Sequence, residues 1–334
     1  KKITNCSYIL LLFRLVFLFF YVNIKGEILS NFGGINNMFP IVKKRKLAEN
    51  IYLFDVLAKR VAAKCLPGEF VIVKQDKQGE RIPLTVCDYD REAGTVTIVI
   101  QVIGGSTRLI ADDLKEGDEF MDFVGPLGNA SDLISEDIEE LKKKNILFVA
   151  GGLGTAPVYP QVKWLYERGI KADVVQGAKS KDFVILEDEL KSVSGNLYVC
   201  TDDGSYGFKG LVTDKIKDLV ENEGKKYDHC VVIGPMIMMK FVSLLTKELG
   251  IPTIASMNTI MVDGTGMCGA CRLSVGDEIK FACVDGPEFD AHKINFNEAL
   301  QRLQIYKTEE GRELLKVIEG ETHHGGCGVC GGDK

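Results

Sequence analysis

The chain has 334 residues, 46% of them apolar and 26% charged, with a formal net charge of −6. That length suits two or three domains and that composition a globular protein, which excludes a disordered or fibrous chain. An acidic balance without a basic stripe excludes a general nucleic-acid binder, and the run KKRK at 43–46 reads as a solvated surface patch.

The first elements in chain order are unusual. Residues 8–22, YILLLFRLVFLFFYV, are apolar apart from Arg14. The run is short for a membrane span, and no small-residue cleavage site follows it. The chain starts with Lys1, and Gly33-Gly34 stand just before Met38. Two glycine codons can spell a purine-rich ribosome-binding sequence, so the expectation is that Met38 is the initiator and residues 1–37 are translated upstream DNA. A membrane anchor is the alternative.

From Met38 to residue 134 the pattern is β-rich. FPIVKKRKLAENIYLFDVLA reads as two strands around a polar turn. GEFVIVKQ, RIPLTVCDYD, GTVTIVIQVIG and GDEFMDFVGPLG follow at short intervals. Alternation and glycine punctuation predict a small antiparallel β-barrel.

Over 135–255 the pattern changes to alternating strands and helices. Ser135 reads as the N-cap of SEDIEELKKK. KNILFVAGGLGTAPVYPQVKWLYERGI reads as strand, glycine loop and helix. KADVVQGAKS is a strand, FVILEDELKSV a helix, NLYVCTDDGS a strand and LVTDKIKDLVENE a helix. YDHCVVIGPMIMMKFVSLLTKELGI repeats the strand–loop–helix unit. The expectation is an α/β Rossmann-like domain with a parallel sheet. Residues 256–290 are rich in glycine and cysteine, with short strands at IASMNTIM and FACVDG. Residues 291–334 carry C-terminal helices and a disordered tail.

Cys65, Cys87, Cys200 and Cys230 are isolated and read as buried small hydrophobes. The cysteines after residue 267 point to metal chemistry. MVDGTGMCGAC and the later Cys283 give the spacing D-x4-C-x2-C-x11-C, with Asp263 where the two-iron ferredoxin pattern has its first cysteine. Asp263, Cys268, Cys271 and Cys283 are therefore the candidate ligands of a 2Fe–2S cluster. A carboxylate is a hard donor able to bind iron, and Gly264, Gly266 and Gly269 let the backbone wrap closely. Zinc is the competing reading, with Cys327 and Cys330 as a second knuckle and His323 and His324 beside them; an ordinary glycine loop is the other.

Three barrel segments are candidates for a flavin. In RIPLT, Arg81 would neutralise a phosphate and Thr85 would bond the ring system, with Pro83 and Leu84 between them. IGGST supplies Gly104, Gly105, Ser106 and Thr107, and GPLGN supplies Gly125 and Gly128, as turns whose amides could meet a pyrophosphate. An exposed strand arginine with no ligand is the commoner role for a residue like Arg81. AGGLGTAP follows a strand and opens a helix, the setting for dinucleotide phosphates, with Gly152, Gly154, Thr155, Ala156 and Pro157. Gly234, Pro235 and Met236 form a second such loop, which could face a nicotinamide; core packing is the equal alternative for its methionines. Asp202 lies in a strand-end loop and could face the nucleotide or shape a turn. Four histidines and no Ser-His-Asp arrangement leave hydrolysis unsupported, and no catalytic side chain is assigned.

RIPLT, GGLGTAP, GPMIMM and a C-terminal cluster loop followed by CVDGPEFD resemble, in that order, the ferredoxin reductase-like superfamily and its iron–sulfur flavoprotein branch. The resemblance covers about residues 38–315. It implies FAD, NAD(H) and a 2Fe–2S cluster as cofactors. It also implies a heterodimer with a larger flavin and iron–sulfur subunit, ferredoxin reached through that partner, and a cytoplasmic oxidoreductase. Two groups within the branch are similar to this chain: the electron-transfer subunits of dihydroorotate dehydrogenase B, which have four cysteines, and the small subunits of NADH-dependent ferredoxin:NADP+ oxidoreductase, also named as sulfide dehydrogenase subunits, which use an aspartate with three cysteines. Asp263 favours the second group. The family's CGP is IGP here, which removes the thiol beside the flavin. Lys179, Lys181 and Asp182 leave the pyridine nucleotide open from the residues alone, while the resemblance favours NAD.

Overall fold

The computed structural model describes residues 39–319. The expectations for residues 1–37 and for His323, His324, Cys327 and Cys330 fall outside the described residues. Among the described residues no helix is long and apolar enough to cross a membrane.

Strands β1 (Phe39–Ala48), β2 (Ile51–Leu57), β3 (Phe70–Lys74), β4 (Ile82–Asp90), β5 (Thr95–Gln101), β6 (Glu119–Phe120) and β7 (Asp122–Leu127) form one antiparallel sheet. Their order is β6-β1-β2-β5-β4-β3-β7. Only Met121 separates the two edge strands, so a single stretch of chain pairs with β1 at one end and β3 at the other. That closes the sheet nearly into the expected barrel and removes its exposed edges. Inward-facing residues such as Ile41, Phe54, Val71, Val73, Ile98 and Phe120 fill it. Each such side chain contributes roughly 1.5–3 kcal/mol by leaving water.

Next come β8 (Ile146–Gly151), β9 (Asp173–Ala178), β10 (Asn196–Thr201), β11 (Phe208–Lys209), β12 (His229–Ile233) and β13 (Thr253–Ser256). All are parallel, in the order β11-β10-β9-β8-β12-β13. Strand order reverses between β8 and β12, which makes their carboxyl ends the topological switch point where open α/β sheets bind ligands. Every residue of β8 is buried, as a central parallel strand covered on both faces requires.

The cluster segment is less separate than its composition suggests. A hairpin of β14 (Arg272–Val275) and β15 (Glu278–Phe281) leads to β16 (Glu288–Asp290), which pairs antiparallel with β13. The cysteine loop is thus an insertion between two neighbouring strands of the nucleotide-domain sheet. IASMNTIM is strand only to Ser256, and most of FACVDG is turn, because the chain leaves the sheet there to form the loop. Asp137, not Ser135, caps the helix Ile138–Leu141: its Oδ1 accepts from the N–H groups of Glu139 and Glu140 at 2.9 and 3.1 Å. Ser135 instead ends the preceding short helix, Asp132–Ser135. The isolated Cys65, Cys87, Cys200 and Cys230 are all buried.

A buried polar link joins the three parts. Ser131, after the barrel, donates to Gln161 Oε1 at 3.2 Å, and Gln161 Nε2 donates to Glu288 Oε1 at 2.6 Å. Glu288 Oε2 is buried without a partner among the described residues. Burial pushes the Glu288 carboxyl up to about 7; the Ser131 and Gln161 hydrogen bonds oppose that shift, and the Asp132 charge adds to it. A folded-state value above the ordinary 4.5 means the native state holds the proton more tightly. The associated stability is complete below pH 4.5 and is lost as pH rises through about 7. Denaturant melts from pH 5 to 8 should show this loss, at most about 3 kcal/mol, and Glu288→Gln should flatten it; a wild-type curve no steeper than the variant's would refute the assignment.

Candidate functional site

The flavin candidates and the cluster loop converge on β3. On one side β4 pairs Pro83 with Ile72, Leu84 with Val71 and Thr85 with Phe70. On the other, β7 pairs Val124 with Ile72 and Leu127 with Phe70. RIPLT and GPLGN therefore flank one strand. Gly128 is left-handed at φ +76°, and a Cβ there would stand 2.9 Å from the Phe70 ring and 3.0 Å from the Gly286 carbonyl. The next residue, Asn129, donates its N–H to that carbonyl at 2.7 Å and its Nδ2 to Val284 O at 3.2 Å. Gly125 is equally close to Val71. The IGGST turn is tied in by Ser106, which donates to the Glu80 carboxylate beside Arg81. Thr107 Oγ1 accepts from the N–H groups of Ile103 and Gly104, and the helix Gly105–Asp113 starts there. Gly104 faces open space, whereas Gly105 is covered by Val317 of the C-terminal helix Lys307–Glu319.

Arg81 lies just before β4 rather than within it, and its Nη2 donates to the backbone carbonyl of Asp263 at 3.4 Å. Arg81 thus stands between the candidate flavin strand and the cluster loop. Gly264 seats that loop on the barrel: a Cβ there would lie 2.5 Å from Ile72 Cδ1 and 3.1 Å from Leu127 Cδ1.

The loop itself holds its candidate ligands in two sets. Cys271 and Cys283 are buried with their sulfurs 3.3 Å apart. Burial raises the Cys283 thiol, and the neighbouring Cys271 raises it further. Asp263 and Cys268 form the exposed set: Asp263 Oδ1 accepts from Thr265 N–H at 2.8 Å and Oδ2 from Cys268 N–H at 3.1 Å. Those amides hold the Asp263 carboxyl below the usual range, so it stands ionised. Gly264, Gly266 and Gly269 all have positive φ, the conformation that wraps the loop around its centre. Among the described residues no three thiol, carboxylate or imidazole groups converge on one point, and the second knuckle of the zinc reading lies outside the described residues. Two plus two donors on a tight loop fit a two-iron cluster.

At the switch point the two glycine loops meet. Gly234 and Gly151 touch, with a Cβ on Gly234 lying 3.0 Å from Gly151 Cα; a Cβ on Gly154 would overlap the Ile233 carbonyl. Gly152, at φ +52°, is half-buried and would meet nothing if given a Cβ, the most open glycine of the phosphate-loop candidate. Thr155, Ala156 and Pro157 are buried, and Thr155 Oγ1 accepts from Gln176 Nε2 at 3.3 Å. Met236 is core and Pro235 caps the helix Met236–Glu248, while Met238 packs over both glycines. Asp203 is committed to its turn, accepting from Ser205 N–H and Oγ at 2.9 and 2.7 Å, while the neighbouring Asp202 is exposed. Sequence reasoning missed Glu80, Asn129, Thr259 and Arg302. Thr259 Oγ1 is buried without a described partner just before the loop. Arg302 reaches the loop from the helix Phe296–Arg302, donating to Ala270 O at 3.2 Å. No spacing rule links residues so far apart.

A barrel, a switch-point nucleotide domain and an inserted cysteine loop define an iron–sulfur oxidoreductase of ferredoxin reductase-like fold. Known proteins place it further. Residues 258–295 match the model of the iron–sulfur cluster binding domain of dihydroorotate dehydrogenase B, and 148–244 match the oxidoreductase NAD-binding domain. A Thermotoga maritima homolog of the dihydroorotate dehydrogenase B (NAD(+)) electron transfer subunit is 46% identical over 270 residues, 81% of this chain and 92% of the relative. An uncharacterized Clostridium beijerinckii protein is 62% identical over 298 residues, 89% of this chain and all of the relative. A chain from the solved NADH-dependent reduced ferredoxin–NADP oxidoreductase is 43% identical with TM-score 0.77, covering 85% of this chain and 99% of that one. The chain belongs to the family of dihydroorotate dehydrogenase B electron-transfer subunits. FAD, an iron–sulfur cluster and NAD(H) are the cofactors its fold and domains take.

Gly154→Val would force a side chain onto the Ile233 carbonyl. The expected result is a loss of about 1–3 kcal/mol in urea unfolding and a weaker NADH-binding isotherm, whereas unchanged NADH affinity would remove this loop from the nucleotide site.

Proposed function

We propose that this chain is the NADH-side electron-transfer subunit of a heterodimeric, NADH-dependent ferredoxin:NADP+ oxidoreductase. The observation that carries this reading is the ionised Asp263 in the first ligand position of a loop seated directly on the flavin wall. The 43% identity to a chain of such an oxidoreductase supports it. The alternative, an electron-transfer subunit serving a dihydroorotate dehydrogenase B or a sulfide dehydrogenase, draws on the cluster-domain match and the names of the relatives. The two readings part at Asp263 and at the partner.

The chain's own residues bind and orient. Gly152 and the first turn of the helix Thr155–Tyr166 would hold the dinucleotide phosphates at the switch point. Gly104–Thr107 and Gly125–Gly128 would hold FAD with its ring near Pro83–Thr85. Asp263, Cys268, Cys271 and Cys283 would hold the 2Fe–2S cluster. When bound, FAD and the cluster supply the conversion of a hydride pair into single electrons. Contact of the loop with β3 keeps the two cofactor sites close. Cys268 is exposed, its chain neighbour Met267 is 87% accessible, and Val262 and Val284 at the two ends of the cysteine segment are 50% and 42% accessible. These apolar side chains are where a larger flavin and iron–sulfur subunit would dock and take electrons onward.

The deciding experiment is an anaerobic NADH titration of the purified chain, followed by flavin absorbance and low-temperature EPR. Flavin bleaching with a 2Fe–2S signal under NADH or dithionite is expected; a folded chain without flavin or iron would overturn the reading. Asp263→Cys should keep the cluster with a shifted potential, and Asp263→Ala should lose it or bind it weakly. Met267→Glu should leave both cofactors in place and weaken co-purification with the co-expressed large subunit at least tenfold; full retention would move the docking face elsewhere.

A further inference from the structure

Arg302 ends the helix Phe296–Arg302 and turns its guanidinium onto the back of the cluster loop. Its Nη2 donates to the carbonyls of Gly269 and Ala270, at 3.5 and 3.2 Å, the two residues between Cys268 and Cys271. Among the described residues these carbonyls are its hydrogen-bond partners, and its Nε is buried with none. No described carboxylate neutralises it through a hydrogen bond.

A trans peptide points its C=O and N–H in opposite directions. Holding the carbonyls of Gly269 and Ala270 toward Arg302 therefore turns the N–H groups of Ala270 and Cys271 away from it, into the loop. Neither N–H has a backbone acceptor among the described residues. Arg81 grips the same loop from the barrel side by the Asp263 carbonyl, but it is exposed, so water screens its charge more than that of half-buried Arg302.

We infer that Arg302 is a positioning residue for electron transfer: it fixes the Ala270 and Cys271 amides as donors to the cluster and sets an unneutralised positive charge behind it, which favours the reduced cluster. The inference rests on the 2Fe–2S reading of this loop. Each electron added to a cluster adds a negative charge, and both inward N–H dipoles and a nearby guanidinium stabilise that charge.

The test is an EPR-monitored redox titration of the full chain with its cofactors, as wild type, Arg302→Met, Arg302→Gln and Arg302→Lys. In the Met and Gln variants the reduced-to-oxidised ratio at the wild-type midpoint should fall on the order of tenfold, about 59 mV for one electron. Arg302→Lys keeps the charge and should stay close to wild type. Arg302→Gln, which can still donate to a carbonyl, decides the matter if the Met variant does not assemble. A neutral variant that carries the cluster at the wild-type potential overturns the inference, as does loss of the cluster from all three, Lys included. A wild-type chain with no 2Fe–2S signal under dithionite would instead overturn the reading beneath it.

Discussion

Gly264, left-handed at φ +74°, lies against the side-chain tips of Ile72 and Leu127, where a Cβ would stand 2.5 Å from Ile72 Cδ1. The rest of the arrangement depends on that contact. Electron transfer needs its two cofactor sites close together, and two separately folded domains would hold that spacing poorly. Here the spacing is set by the loop backbone at Gly264 lying on the side chains of Ile72 and Leu127. The same strand, β3, carries RIPLT on one neighbour and GPLGN on the other. The candidate flavin segments and the cluster loop thus share one piece of sheet.

The loop is held from the opposite side by the nucleotide domain. Because it is inserted between β13 and β16, both its ends are anchored in the parallel sheet. Barrel and nucleotide domain are joined further by Lys163, whose Nζ reaches both oxygens of Asp88 at 2.8 Å, and by Arg45 on Glu189 at 2.6 Å. Both pairs are partly exposed, so each adds little stability alone. Their value is orientation: the first fixes the helix Thr155–Tyr166 against β4, the strand that carries most of RIPLT, and the second ties the helix Glu187–Val193 to β1.

Much of this was legible in the sequence. The spacing D-x4-C-x2-C-x11-C located the loop, and hydrophobic period separated barrel from α/β domain near residue 135. Local signals reached less far where tertiary contacts decided the outcome. β16 looks like part of a cysteine-rich segment, and only pairing with β13 reveals it as the edge of the nucleotide sheet. Asp137 outcompeted Ser135 as a cap because its carboxylate reaches two amides at once. The contact of Arg81 with the Asp263 carbonyl joins residues almost two hundred positions apart, beyond any local pattern. Arg302 carried no motif, since its role comes from carbonyl directions that no sequence pattern encodes.

The four candidate ligands are chemically uneven, and that unevenness has a physical consequence. Asp263 is already ionised and held by two amides, at an exposed edge next to Cys268. Cys271 and Cys283 are buried together, and burial opposes the loss of a proton from Cys283. Metal binding to thiols displaces their protons, so binding at the inner set must release protons in a buried place, whereas binding at the ionised Asp263 need release none. The inner thiols therefore tie the cluster to the core, and the outer carboxylate leaves a hard, polar donor on the face open to a partner. A cysteine at position 263 would make the outer set soft as well. The aspartate keeps the two halves of the site distinct, with the more solvated half turned outward.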